Sequence, residues 1–126
     1  MRMEERSTHK IYEEGNVGEV RIADDVVAVI AGLAAMEVEG VAALPGNVTA
    51  DLVAKLGMKN LSRGIRIDMT DDSVSVDLTL ILNYGYSIVN VAGKVQEKVK
   101  SAIETMTGIT VKEVNVKVAS VEVKDK

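Results

Sequence analysis

Five apolar side chains at strict two-residue spacing, Val74, Val76, Leu78, Leu80 and Leu82, constrain this sequence more than any other feature. A period of two puts alternate side chains on opposite faces of an extended chain, so this stretch is a strand with one face toward a core. Ile65, Ile67 and Met69 alternate with Arg66 and Asp68 and predict a partner strand. Asp71-Asp72-Ser73 between the two is turn chemistry, and together they read as a hairpin.

Two helices flank it. Asp24 and Asp25 offer an N-cap and favourable charge to a helix whose run from Val26 to Met36 is apolar throughout, counting Gly32. That run is too short for a bilayer, which takes about 20 helical residues. Gly40 reads as its stop, with Val41 placed to touch Met36. Such a helix either fills an ordinary core position with its small alanines or keeps a second face for a partner. Later, Ser87 can cap a helix with Tyr86 and Val91 as a hydrophobic staple. Its predicted core stripe is Ile88, Ala92, Val95, Val99, Ala102, Ile103 and Met106, opposite Lys94, Glu97, Lys98, Lys100 and Glu104. Gly108 ends it.

Val17 to Ile22 predicts a first strand, and Val41 to Leu44 a short one stopped by Pro45-Gly46. Thr49 can cap a short helix from Ala50 to Leu56. In the last segment Ile109 and Val111 give way to Val114, Val116 and Val118, and then to Val121 and Val123. Each change of parity requires a bulge or a change of face. The order β-α-β-(short α)-β-β-α-β defines an α+β two-layer sandwich with a mixed, mostly antiparallel sheet and two main helices. Residues 1–16 read as a charged mobile tail, 17–123 as a single domain and 124–126 as a second tail.

Composition narrows the function. The 126 residues contain 21 valines, three Tyr, and no Phe, Trp or Cys, with a net charge of −4. Lack of Cys excludes disulfides, thiolate metal sites and a Cys nucleophile. With a charged opening that has no signal-peptide core, a cytoplasmic, metal-free domain is expected. His9 is the single histidine and lies in the charged tail, where it makes a poor catalytic base. The adjacent pairs Asp24-Asp25 and Asp71-Asp72 already have tasks as cap and turn. Gly93-Lys94 lacks the rest of a phosphate loop, since Val95 follows and Ile88 stands five residues before Gly93. No catalytic, cofactor or metal-binding residue is assigned.

Two features remain as a candidate interaction surface. From Leu52 to Ile67 the charges are Lys55, Lys59, Arg63 and Arg66, with no acid among them. This is a local inversion in an acidic protein, suited to phosphate, lipid headgroups or an acidic protein, or simply a solvated loop. Tyr84-Gly85-Tyr86 places two of the three tyrosines at a strand-to-helix junction, as packed turn residues or as a thin stacking platform.

The stretches GEVRIADDVVAVIAGLAAMEVEGVAAL and LNYGYSIVNVAGKVQEKVKSAIETMTGITVKEVNVKVASVEV resemble the opening and closing blocks of the alkaline shock proteins, a bacterial envelope stress response family. The resemblance runs from residue 18 to about residue 123. It implies a cytoplasmic protein without enzymatic activity or cofactor, and transfers no site residue. It also implies protein partners: a membrane-anchored protein that holds it at the inner membrane face, or components of acetyl-CoA carboxylase and so of fatty-acid synthesis control. Homo-oligomers fit this picture, and direct membrane insertion does not. The alternative from the residues is a small nucleic-acid-binding module using the 55–66 window, which the acidic whole disfavours. A ligand carrier or enzyme has support only from Tyr84 and Tyr86.

Overall fold

The structure, a computed structural model, describes residues 8–14, 18–45, 64–70 and 72–123, with backbone alone for 8–14. Its elements in chain order are β1 (Thr8–Glu14), β2 (Gly18–Ala23), α1 (Asp24–Met36), β3 (Val41–Ala43), β4 (Ile65–Met69), β5 (Ser73–Asn83), α2 (Ile88–Thr107) and β6 (Thr110–Glu122). The short helix expected at Ala50–Leu56 falls outside the described residues.

The alternating segment from Val74 to Leu82 is the centre of the sheet. β5 pairs with β3 and β4 antiparallel and with β6 parallel. A strand has two edges, and β6 runs along one of them from Ser73 to Asn83. β4, opposite Val74 to Leu78, and β3, opposite Ile81 and Leu82, therefore lie end to end along the other. The sheet is mixed, as its composition in strands predicts, and the two helices complete an α+β sandwich.

All five alternating residues of β5 are buried to within 1% of complete exclusion from solvent, and they meet Val91, Val95, Val99 and Ile103 of α2 in the core. The parity changes foreseen in β6 are bulges. Val74 opposes Val111 and Val76 opposes Val114, with Lys112 as the extra residue. Leu80 opposes Val118 and Leu82 opposes Val121, with a second shift between them. The extra residues keep every valine of β6 on the same face as its β5 partner.

Several expectations are corrected. Thr8–Glu14, assigned to a mobile charged tail, is a strand paired antiparallel with β2 in its own two-stranded sheet. Charged residues do not prevent this, because a backbone ladder needs only an unpaired neighbouring edge. The N-cap of α1 is Ala23, without a side-chain bond, and the two aspartates sit in the first turn, where they favour the helix through charge. The helix stops at Met36, four residues before Gly40, in a turn where Glu37 and Val38 N–H groups bond to Ala34 and Ala35 C=O. Most of its circumference is buried, with Val26 as its large exposed apolar residue, and it packs on α2, β4, β3 and β2.

On α2, Ile88 and Met106 are exposed, and the buried line is Val91, Val95, Val99, Ile103 and Thr107. Steps of four residues rotate about 40° past a full turn in a 3.6-residue helix. The buried line therefore winds around α2, which fits a helix that crosses the sheet at a slant and leans on α1. At its end the buried Thr107 hydroxyl donates to Ile103 C=O at 2.7 Å and accepts from Ile109 N–H at 3.0 Å. Gly108 N–H closes the helix on Glu104 C=O.

The core predicts its own sensitivity. Leu80→Ala removes a fully buried side chain from the central strand and is expected to cost about 2–5 kcal/mol, read as a lower urea midpoint at unchanged slope.

Candidate interaction surface

The strand-to-helix corner after β5 is tied down by backbone bonds on both sides. Asn83 N–H donates to Gly40 C=O at 2.8 Å, and Tyr84 N–H donates to Glu122 C=O at 2.9 Å. Ser87 then accepts from Asn90 N–H at 3.3 Å and caps α2. The two tyrosines of this corner do different things. Tyr86 lies over the backbone of Gly40, and its hydroxyl donates to Glu39 at 3.3 Å. Tyr84 is 72% exposed.

Around Tyr84 the surface is apolar. Ile88, Val89, Val121 and Val123 are all exposed. An open hollow of about 530 Å³ is lined by Asn83, Tyr84, Gly85, Tyr86, Ile88 and Val121. The Oδ1 atom of Asn83 is buried and has no hydrogen-bond partner among the described residues. Contiguous exposed apolar side chains mark contact surfaces more than scattered ones do.

Of the basic window, Lys55, Lys59 and Arg63 lie outside the described residues. Arg66 is exposed on β4 and stands opposite Asp77 of β5, which in turn opposes Asn115 of β6. Asn115 donates to Asp77 at 2.9 Å. Arg66 thus sits beside an acid on the solvent face of the sheet. Asp77 precedes Asn83 by six residues of strand, roughly 20 Å at the usual rise, so the structure does not bring Arg66 to Tyr84 and Tyr86.

Lys100 and Glu104, assigned to the face of α2 opposite its core stripe, and Gln96, given no role, all reach β6. Gln96 donates to Val114 C=O at 3.0 Å, Lys100 to Val111 C=O at 3.4 Å, and Glu104 accepts from Val111 N–H at 2.9 Å. Lys100 and Glu104 also form an i,i+4 pair at 3.4 Å. The four-residue spacing 96, 100, 104 was the available signal, since it aligns these residues along one line of a helix. Their contacts occupy the start of the β6 edge that faces away from β5. The Val111 N–H bond is the main reason the Glu104 carboxyl lies below its ordinary pKa of 4.5; burial opposes it as the next largest effect, and the nearby Lys100 charge and hydrogen bond add to the lowering.

Among the described residues no group of three His, Cys, Asp or Glu side chains could hold a metal ion. Nor is any described helix long and apolar enough to cross a membrane.

A small α+β domain with these blocks in this order defines a class, and the comparisons agree on it. The chain belongs to the alkaline shock protein 23 family, described by a cell envelope-related function, which it matches over residues 12–123. It is 35% identical to YqhY of Bacillus subtilis over 111 residues, covering 88% of this chain and 82% of that protein. A stress response regulator gls24 homolog of Streptococcus pyogenes is 27% identical, over 95% of this chain and 68% of the relative. Among solved structures, a variant MamM C-terminal domain aligns at a TM-score of 0.50 and 14% identity, over 79% of this chain and all of that one (100%), a likeness of fold.

Two measurements test the corner and the helix–strand contact. Gly40 has φ +103°, and a Cβ there would sit 2.8 Å from Val91 Cγ2 and 3.0 Å from the Tyr86 ring. Gly40→Ala is expected to destabilise by about 2–4 kcal/mol through backbone strain and overpacking, read in thermal unfolding. Glu104 has a depressed folded pKa, so its stabilisation is complete above the unfolded value and is lost as pH falls through the folded one. The stability gap between the wild type and Glu104→Ala therefore narrows as pH drops below 4.5 in a series of urea titrations.

Proposed function

We propose that this protein is a non-enzymatic adapter or regulator of the envelope stress response, acting through protein–protein contacts. The observation that carries the reading is the apolar surface at the start of α2, where Tyr84, Ile88 and Val89 are exposed beside an open hollow. Exposed apolar side chains held on a rigid, capped corner suit a broad aliphatic contact. They do not resemble a reactive centre, which needs titratable or nucleophilic groups converging on one point.

The family's envelope-related function and the stress response regulator among its relatives support the setting. The partner in this reading is a membrane-anchored protein that brings the chain to the inner membrane face, or a component of acetyl-CoA carboxylase through which fatty-acid synthesis is controlled. The 55–66 window remains a route to nucleic acid, but Arg66, its one described member, faces an acid across the strand pair.

Affinity capture from cells tests the proposal, with the wild type compared against Tyr84→Ser combined with Val89→Ser. Envelope proteins or lipid-synthesis components recovered with the wild type and depleted with the variant are expected. Equal recovery of such proteins with both chains, or of none with either, overturns it.

A further inference from the structure

Among the described residues, the outer edge of β6 is covered along its first part and has no partner along the rest. Val111 and Val114 direct backbone groups away from β5, and Gln96, Lys100 and Glu104 satisfy them. Backbone groups alternate in direction along a strand, so Val116 and Val118, in phase with Val114, point outward too. Glu122 C=O points inward, to Tyr84 N–H, which leaves Val121 pointing outward on the far side of the second bulge. No strand pairs with this edge among the described residues.

The cover over the same region thins from above. Side-chain exposure on the core face of β6 rises from 8% at Val114 to 41% at Val121 and 70% at Val123. An apolar wedge therefore lies beside a run of backbone groups that have no partner strand among the described residues, the template for another strand.

The pattern of this edge selects its occupant. We infer that β6 pairs with β6 of a second copy of this chain, antiparallel, about a two-fold axis between Ala119 and Ser120. In that register Val118 faces the partner's Val121 and Val116 faces the partner's Val123, on the side of the helices. Lys117 faces the partner's Glu122 on the opposite, solvent side, where its own neighbours are Thr79 for Lys117 and Asn83 for Glu122. Neither Lys117 nor Glu122 has an ion pair among the described residues. The bulge makes the fit specific. Two residues, rather than one, lie between the outward-pointing Val118 and Val121, an interval a regular strand cannot match and a reversed copy of the same strand matches by symmetry.

Sedimentation velocity on the full chain over a dilution series tests the inference. A reversible dimer is expected. Lys117→Glu or Glu122→Lys alone sets like charges opposite each other at two symmetric places and weakens the dimer roughly tenfold. The double variant Lys117→Glu/Glu122→Lys restores wild-type association. Both positions are exposed on the solvent side of an edge strand, so the variants should melt as the wild type does by circular dichroism. Amide hydrogen exchange supplies a second reading, with Val118 and Val121 slowed at high protein concentration and not at low. A wild type monomeric at every concentration overturns the inference, as does a dimer indifferent to both single reversals. These positions are not Tyr84 or Val89, so failure here leaves the capture result standing on its own.

Discussion

The register between β5 and β6 is the constraint on which the rest of the domain depends. β5 touches every other strand of the main sheet, and its five inward side chains form the floor of the core. β6 is parallel to it, so the connection must cross over the sheet, and α2 is that crossover. A slip of one residue would turn the valines of β6 to solvent and leave α2 without half of its floor. Two bulges prevent this by absorbing the residues that do not fit the alternation.

Much of this was legible because it follows from local periodicity. The Val74–Leu82 alternation, the Ile65–Met69 partner, the Ser87 cap and the parity changes between Val111 and Val114 and between Val118 and Val121 each have a cause within a few residues of sequence. What was not legible depends on partners distant in the chain. Ile88 and Met106 match a helical stripe as well as Val91 and Thr107 do, and only the packing of α2 against the sheet and α1 decides which pair is buried. Thr8–Glu14 has no apolar pattern to announce a strand, because β1 is specified by the edge of β2 that it joins.

The candidate surface divides the same way. Tyr84 and Tyr86 were singled out together for their types and position, yet Gly40 separates their roles: the bare backbone there admits the Tyr86 ring and leaves Tyr84 outside. Nothing within ten residues of Tyr86 tells of Glu39, its hydroxyl partner from another loop. Lys100 and Glu104 read as an ordinary solvated helix face and Gln96 as nothing in particular, and the contacts of all three with β6 depend on where the crossover sets the strand. Long polar side chains reach backbone groups that sequence patterns do not count.

The shared edge of β5 has a consequence for how such a protein can change over time. β3 and β4 run in one line and in one direction, with Ala43 opposite Ile81 and Ile65 opposite Leu78. After β3 and before β4 the two described ends of the connection stand close together, with the Pro45 ring 2.8 Å from the place a Cβ of Gly64 would take. The sheet thus behaves as though one strand had been cut and a separate piece of chain spliced into the gap. Loop-closure entropy rises slowly with length, so the splice can grow, shrink or exchange its charges while the ladder on either side keeps its register. Lys55, Lys59 and Arg63 all fall in the stretch of sequence between these two strands, where a change of charge leaves the ladder residues themselves untouched.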